Sequence, residues 1–428
     1  MNKDKLEVFQ PELRLKKVSL ENFRGFEKFE LTLQPDLTVL IGKNGTGKTA
    51  ILEAIAKLLT VFESEIRGEE DTDGKDLKNV FEAWDIRKGA AKSISTLSLF
   101  FGGNEFGWKI SFGKKSGFHL LKQATTQNLN ALIQPCYQKE QINLPVMVYY
   151  PASQAPVNTI DFKNAREDFE TDVFTAYDKA LDSNAFDFIS FFLWYKWQEN
   201  IEKQLGQNLV INVVRDAIYN LLSFDNNCYD KLSINWLNNP TGEMVIYKNE
   251  IPLNINQLSS GEKTLLALVA DLARRLAIAN PHRENPLFGY GVVLIDEVDL
   301  HLHPGWQRTV IPQLQKTFPN CQFIVTTHSP LILSQIKRQN VVILEDFNPI
   351  TKIPHTFGRD TNSLLYEFMG VTQRPDSMQL QINQCYDFID KGKLEEAQEC
   401  FKRLSEDFLG PNDPDIIHGE TLINFMKD

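Results

Sequence analysis

The 428-residue sequence has few cysteines, and none of them are closely paired. An odd number of cysteines at scattered positions indicates neither a disulfide framework nor a zinc ribbon. We therefore expect buried, reduced thiols at the five positions, which are Cys136, Cys228, Cys321, Cys385 and Cys400.

Long apolar runs are also lacking. The segment from Met1 to Phe9 is polar and has no apolar core of the kind found in signal peptides. No later run approaches the roughly 18 apolar residues that a membrane-spanning helix requires. The sequence therefore predicts a cytoplasmic protein with no membrane partner.

Positive charge is in deficit, since the formal net charge is -11 at pH 7. Phosphate contacts depend mainly on clustered Lys and Arg, so this balance opposes indiscriminate binding to nucleic acid. Any contact with a polyanion must use a local basic patch. The hydrophobic fraction of 42% and the charged fraction of 24% are typical of globular proteins, and the length allows two or three domains.

A glycine-rich loop is the most informative feature that the sequence does contain. An apolar run, Leu37 to Ile41, precedes it, and helically spaced apolar residues from Ile51 onward follow it. In such a loop, glycines let backbone N–H groups approach a triphosphate, a lysine neutralises the β- and γ-phosphates, and a Thr hydroxyl holds magnesium. The predicted ATP-binding residues are Gly42, Lys43, Asn44, Gly45, Thr46, Gly47, Lys48 and Thr49.

A second apolar run, Val292 to Ile295, leads directly into Asp296 and Glu297. A buried strand of this kind delivers carboxylates to the carboxyl edge of a parallel sheet. We expect Asp296 to hold Mg²⁺ together with Thr49, and Glu297 to act as the general base that activates the attacking water. An Asp-Glu pair at a strand end could also be a solvated turn, but the phosphate loop favours the catalytic interpretation.

A third apolar strand, Gln322 to Val325, is followed by Thr326, Thr327 and His328. This order places His328 at another strand end, where contact with a γ-phosphate is geometrically sensible. Taken alone the histidine is more often structural; beside the phosphate loop we expect a phosphate-sensing switch. His301 and His303 have no third ligand at a suitable spacing, so we do not expect a metal site there.

The remaining segments give the expected organisation of the chain. Apolar pieces at Ile94 to Phe101, Trp108 to Phe112 and Pro145 to Tyr150 are predicted strands that rejoin the core sheet. Residues 63–78 are expected to form an acidic, solvated loop. Helical spacing between Phe162 and Phe224 predicts a short inserted arm, whose aromatic residues favour a core over a base-stacking surface.

The order of these motifs resembles the ATPase head shared by the ABC, SMC and RecF families. In those heads a Leu-Ser-x-Gly-Glu signature begins a helix that faces the ATP held by a second copy. By resemblance, Ser260 and Gly261 would touch the γ-phosphate in trans, and Asp299 would communicate between the two sites. The signature residues here, within Leu258 to Glu262, are Ser259, Ser260, Gly261 and Glu262.

The resemblance adds two further candidates. The stretch from Asn22 to Phe26 is similar to a segment of SMC and RecF heads in which an arginine approaches the nucleotide, which makes Arg24 an ATP-binding candidate. Such heads also use a glutamine to sense magnesium, and Gln154 follows a predicted strand at about the right place.

We therefore predict an α/β fold, an ABC-type P-loop ATPase head of the SMC and RecF kind with a short inserted helical arm and a C-terminal helical tail. The expected divisions are residues 1–160 for the N-terminal half of the head, 161–230 for the arm, 231–350 for the C-terminal half and 351–428 for the helical region.

The tail carries a second resemblance. The stretch from Phe357 to Leu365, together with Gly370, Val371, Arg374 and Pro375, is similar to the compact ATPases of the Septu anti-phage system. That resemblance implies ATP and Mg²⁺ as cofactors, assembly of the heads as a homodimer or larger oligomer, and control of a partner HNH nuclease. Nucleic acid would be contacted directly or through the nuclease.

Two other functions stay open on the sequence. A RecF-like DNA repair ATPase would bind DNA directly with paired heads. The ATP-binding subunit of a transporter is less favoured, because the run from Asp296 to His301 is similar to SMC-type heads.

Overall fold

The computed structural model describes residue 8 and residues 10–67, 80–122, 142–152, 172–182, 188–224, 226–237, 241–350, 353–370 and 374–427. The chain divides into two compact units, Met1–Arg359 and Asp360–Asp428. In the described ranges, no helix is both long and apolar enough to cross a membrane.

A six-stranded sheet forms the centre of the first unit, with the strand order β14-β13-β3-β12-β11-β7. Its strands are parallel except for the short β14, and β7, β11 and β12 are buried along their whole length, as is usual for strands covered on both faces. The strands are β3 (Leu37–Gly42), β7 (Val146–Tyr150), β11 (Gly291–Ile295), β12 (Cys321–Thr326), β13 (Val341–Glu345) and β14 (Asn348–Pro349).

A separate antiparallel sheet has the order β2-β1-β4-β5-β6. The expectation that the segments near 94–101 and 108–112 rejoin the core sheet was therefore wrong, and only the segment ending at Tyr150 does so. Alternating burial along β4 allows one face of this sheet to meet the core, a choice that the sequence pattern alone did not reveal. The strands are β1 (Leu13–Phe23), β2 (Phe26–Thr32), β4 (Lys92–Phe101), β5 (Asn104–Gly113) and β6 (Gly117–Lys122).

Helices pack around the central sheet. The acidic loop expected at residues 63–78 was wrong for residues 63–67, because α1 continues to Arg67 with Ile66 buried on its apolar face; residues 68–79 lie outside the described ranges. Both helices of the inserted segment, α2 and α3, pack against α4. These helices are α1 (Lys48–Arg67), α2 (Phe188–Leu205), α3 (Leu209–Leu222), α4 (Ser260–Ala279), α5 (Pro304–Thr317) and α6 (Pro330–Leu333).

The chain segment that connects α3 to α4 forms a three-stranded antiparallel sheet with the order β10-β9-β8. It comprises β8 (Tyr229–Asn235), β9 (Glu243–Lys248) and β10 (Ile251–Asn254). Its last strand leads through a short 3-10 turn, Ile255–Gln257, into the start of α4.

The second unit is helical, as the sequence predicts. Its core is formed by apolar residues that include Ile382, Phe401 and Ile416. Cys385 and Cys400, on neighbouring helices that pack together, form a disulfide within this core, so the expectation of buried reduced thiols was wrong for this pair. It was also wrong for Cys228, which is a free but exposed thiol, and Cys136 lies outside the described residues. The helices are α7 (Thr361–Met369), α8 (Asp376–Asp390), α9 (Leu394–Leu404) and α10 (Pro414–Lys427).

Candidate active site

The polar strand ends that the sequence singles out meet at one edge of the central sheet. Strands β3, β12 and β11 are neighbours, and Ile295 pairs with Val325 in the parallel register. Asp296 and Thr326 therefore leave the sheet side by side, next to the loop that follows Gly42. The carboxyl edge of adjacent parallel strands is the usual position of ligand sites in such sheets.

The glycine-rich loop turns tightly from β3 into α1. Lys48, which is buried, curls back so that its Nζ donates hydrogen bonds to the carbonyl oxygens of Gly42 (2.9 Å) and Lys43 (3.1 Å). Thr46 Oγ1 also donates to the Lys43 carbonyl, at 2.9 Å. Gly47 has a φ of +98°, and a Cβ there would lie 2.5 Å from the Phe26 ring, so only glycine fits.

Asp296 is the centre of a hydrogen-bonded group. Its Oδ2 accepts from Thr49 Oγ1 at 2.8 Å and its Oδ1 from Thr326 Oγ1 at 2.6 Å. The Thr326 hydroxyl also accepts from the backbone N–H of Glu297 at 2.7 Å. Glu297 has a φ of +50°, an uncommon conformation for a residue with a side chain, and this bond helps to hold it.

Asp299 is hydrogen-bonded to the two residues that follow Thr326. Asp299 Oδ1 accepts from Thr327 Oγ1 at 2.5 Å and from the His328 backbone N–H at 3.3 Å. Burial lowers the pKa of His328, and the nearby Lys48 lowers it further, against the opposing effect of the carboxylates. Burial likewise lowers the pKa of Lys48. The carboxylates of Asp296, Glu297 and Asp299 act to raise this pKa, but they only partly offset the effect of burial.

The first turn of α4 is held by a capping box. The Ser259 hydroxyl accepts from the Glu262 N–H, and the Glu262 carboxylate accepts from the Ser259 N–H at 2.6 Å. Lys248 Nζ and the Tyr229 hydroxyl also donate to Glu262. Burial would raise the pKa of Glu262, but these hydrogen bonds outweigh it and lower the pKa to about 2. Ser260 is exposed at the helix start.

Arg24 is held by carboxylates rather than lying free. Its Nε donates to Asp85 at 2.9 Å, and its guanidinium also pairs with Glu53 on α1. Burial would lower the pKa of Arg24, but these two carboxylates outweigh it and raise it. The neighbouring Gly25 packs against Phe347, which also lies near Gly47, so the Arg24 turn adjoins the phosphate loop. Gln154 lies outside the described residues.

Sequence reasoning missed the part played by two hydroxyls. Thr326 and Thr327 precede His328, and they orient Asp296, Glu297 and Asp299 through the bonds given above. Their position directly after an apolar strand was the available signal. His303, for which a metal role was not expected, accepts from the Gly305 N–H at the start of α5.

Comparison with known proteins agrees with this geometry. The model described as "AAA ATPase domain" matches residues 14–226, and the model described as "AAA domain, putative AbiEii toxin, Type IV TA system" matches residues 150–334. The retron Ec83 probable ATPase of Escherichia coli is 31% identical, in an alignment that covers 95% of this chain and 86% of that protein. The chain belongs to the ATPase family that includes this retron protein.

Two further similarities are more distant. The Septu protein PtuA of Bacillus thuringiensis is 21% identical, over 94% of this chain and 96% of that protein. The SMC head domain bound to the C-terminal domain of ScpA, derived from Pyrococcus furiosus, is 14% identical with a TM-score of 0.46, covering 79% of this chain and 95% of that one. The predicted ATPase family is confirmed by the retron relative, and the predicted α/β fold is confirmed by the parallel sheet and the phosphate loop described above.

Replacing Thr326 with valine is expected to reduce kcat about 10- to 100-fold, because Asp296 and the Glu297 backbone lose a shared anchor. Leaving the Glu297 N–H without its partner should also cost about 1–3 kcal/mol of stability. Steady-state ATPase assays and thermal unfolding measure both effects. Thr326→Ser keeps the hydroxyl and serves as the control; full activity in Thr326→Val would show that this anchor is dispensable.

His328 should remain neutral to a lower pH than an exposed histidine, whose ordinary pKa is about 6.5. An NMR titration of histidine Cε1–H signals, with the His328 signal assigned from His328→Gln, measures its midpoint. Lys48→Met should raise that midpoint, because removing the neighbouring cation makes the imidazolium less costly. A nucleotide-free midpoint above 6.5, or a midpoint unmoved by Lys48→Met, would contradict the electrostatics described here.

Proposed function

We propose that this protein binds and hydrolyses ATP as the regulatory subunit of an anti-phage defence system, and that it controls a separate HNH nuclease. One observation carries the enzymatic part of the proposal. A lysine, a threonine hydroxyl and two carboxylates, from Lys48, Thr49, Asp296 and Glu297, lie together at one sheet edge. The Thr49 hydroxyl bonds to the Asp296 carboxylate, and both carboxylates are close enough to Lys48 to oppose the lowering of its pKa. This is the set of groups that phosphoryl transfer to water requires.

The residues present fit a magnesium ion. Mg²⁺ in nucleotide sites is bound by one or two protein oxygens together with substrate phosphates, and the Thr49 hydroxyl and Asp296 carboxylate lie 2.8 Å apart at the loop. When bound, the ion supplies charge neutralisation for the phosphate oxygens. Among the described residues, no cluster of three or more His, Cys, Asp or Glu forms a separate metal site.

The remaining roles follow from position. The loop N–H groups and Lys48 bind the phosphates, for which Lys48 exchanges its present carbonyl partners for phosphate oxygens. Glu297 takes a proton from the attacking water. His328, neutral at pH 7, donates a hydrogen bond to the γ-phosphate.

We further infer that two copies complete each site. Ser260 lies exposed at the N-terminus of the 20-residue helix α4, an end that favours anions through its free N–H groups and dipole. The capping box and the bonds from Lys248 and Tyr229 hold this end in place. Together with the resemblance to paired heads, this supports contact of Ser260 and Gly261 with the nucleotide of a second copy, with Asp299 between the two sites.

The defence assignment is supported by the relatives, which are ATPases of retron and Septu systems. The charge of the second unit favours its binding to a protein partner over its binding to nucleic acid. Residues 360–428 contain 14 Asp and Glu against 6 Lys and Arg, so this unit carries -8 of the total formal charge of -11. Phosphate backbones are repelled by such a surface.

Co-expression with the product of the neighbouring gene tests this proposal. We expect an HNH nuclease to co-purify with the wild-type ATPase, and nuclease activity to change between wild type and Lys48→Ala, which cannot hold the triphosphate. Lys28→Ala, at an exposed lysine on β2 outside the phosphate loop, is the matched control for loss of positive charge. Tight, salt-sensitive binding of DNA by the ATPase alone would instead support the RecF-like repair function.

A further inference from the structure

A cluster of charged residues is buried beneath the site and takes no part in the chemistry described above. Asp271, Arg274 and Arg275 on α4 are 2%, 4% and 0% exposed. Asp271 accepts from Arg274 at 2.9 Å and from Arg275 at 2.7 Å. Buried charges are costly, and a single carboxylate between two guanidinium groups leaves one positive charge in excess within the trio.

Tyr150 joins this cluster to the strand that carries Asp296. Its hydroxyl, also buried, donates to Asp271 Oδ2 at 2.9 Å. Its backbone carbonyl accepts from the Asp296 N–H at 2.8 Å. One residue at the end of β7 therefore contacts both the α4 helix and the backbone of Asp296, the residue whose carboxylate is proposed to hold magnesium.

The N-terminal end of α4 has a second contact, with the loop that follows Glu297. A Cβ on Gly261 would lie 2.6 Å from the His301 carbonyl oxygen, so the loop after Glu297 passes directly against the helix start. Between the two contacts is a cleft lined by apolar side chains that include Leu268 and Leu302. Ser260 and Asp271 are 11 residues apart, about 16 Å along a helix. The helix is thus attached to the Asp296 segment at two separated points.

We propose that Tyr150 is a positioning residue that couples the two nucleotide sites of a pair through its hydrogen bond to Asp271. This inference rests on the proposed composite site, in which α4 of one copy serves the nucleotide of the other. A displacement of Asp296 when its own nucleotide binds is then transmitted through Tyr150 to α4, and so to Ser260 at the second site.

The coupling depends on the hydroxyl rather than on the ring. Arg275 anchors the cluster by donating to the carbonyls of Ala176 (2.7 Å) and Asp178 (3.1 Å), so the ion pairs persist without Tyr150. Removing Asp271 itself would strand two buried cations and unfold the region. Tyr150→Phe removes the hydroxyl that donates to Asp271 and keeps the packed ring.

The test compares full-length wild type with Tyr150→Phe and Tyr177→Phe. Tyr177 is an equally buried tyrosine, and its hydroxyl donates to the Pro145 carbonyl at 2.6 Å. Melting temperature, the Kd of a fluorescent ATP analogue, kcat and the Hill coefficient for ATP are measured for each. We expect Tyr150→Phe to bind nucleotide within twofold of wild type, to lose about tenfold in kcat and to show a Hill coefficient reduced toward one.

Tyr177→Phe should keep the wild-type kcat and Hill coefficient. The inference is overturned if Tyr150→Phe also keeps the wild-type kcat and Hill coefficient. It is also overturned if the two variants lose activity equally, since an equal loss would indicate a general loss of packing. Ser260→Arg, assayed alongside, separates this failure from that of the composite site. Full activity in Ser260→Arg would refute both the composite site and the coupling. An inactive Ser260→Arg together with an unaffected Tyr150→Phe would refute only the coupling.

Discussion

Replacing Glu297 with glutamine is expected to slow ATP hydrolysis by about 10²- to 10⁴-fold while leaving ATP binding intact. Glutamine has the same size and can keep the backbone bond to Thr326, but it cannot accept the proton of the attacking water. Bound ATP then persists, and paired copies should accumulate. Single-turnover hydrolysis and size-exclusion chromatography with ATP and Mg²⁺ measure the two effects.

Glu345→Gln is the matched control for this substitution. Glu345 is an exposed carboxylate at the end of β13, a strand of the same sheet next to β3, and lies outside the hydrogen-bonded group around Asp296. Its replacement should leave the hydrolysis rate unchanged. Equal turnover in Glu297→Gln and wild type would refute the role of Glu297 as general base.

Replacing Ser260 with arginine is expected to remove nearly all ATPase activity while leaving the phosphate loop able to bind ATP. Ser260 is exposed as the first residue of α4, so the fold should persist. A long cationic side chain there would block the face that meets the second copy's nucleotide. Ser377→Arg, an exposed serine in the first turn of α8, is the control for adding an arginine near a helix start.

Mixing two inactive variants gives a sharper test of the same site. Consider a pair formed from one Ser260→Arg copy and one Lys48→Ala copy. One composite site combines the intact phosphate loop of the first copy with the intact Ser260 of the second, whereas the other site lacks both Lys48 and Ser260. Half of randomly formed pairs are mixed, and each has one of two sites, so about one quarter of wild-type activity should return in a two-fold symmetric pair. Recovery requires exchange of subunits, which size-exclusion chromatography of differently labelled copies measures. No recovery after exchange would place each site within a single copy.

The cysteines of the second unit differ from those of the ATPase head in their chemical state. Cys385 and Cys400 link α8 and α9, whereas Cys321 in the head is a buried thiol whose pKa burial raises to about 12. A thiol of that kind is protonated and inert at neutral pH. Thiol reagents on the folded protein should therefore reach the exposed Cys228 before Cys321.

Local pattern was enough to predict the strand ends that carry chemistry. Leu37 to Ile41, Val292 to Ile295 and Gln322 to Val325 are apolar runs bounded by polar residues, and each forms a buried strand of the central sheet. Parallel strands of that kind place their following residues at one edge, so the meeting of Lys48, Asp296 and His328 could be expected.

The sequence by itself determined which residues form the candidate site and which strand or loop each of them follows, because the phosphate loop and the apolar runs are local patterns. Tertiary structure alone decided which sheet each of the other strands joined and which hydroxyls orient the carboxylates. Thr326 meets Asp296 through the register of β12 against β11, and Tyr150 meets Asp271 across 121 residues. Contacts between segments so far apart depend on how whole elements pack, which no local periodicity encodes.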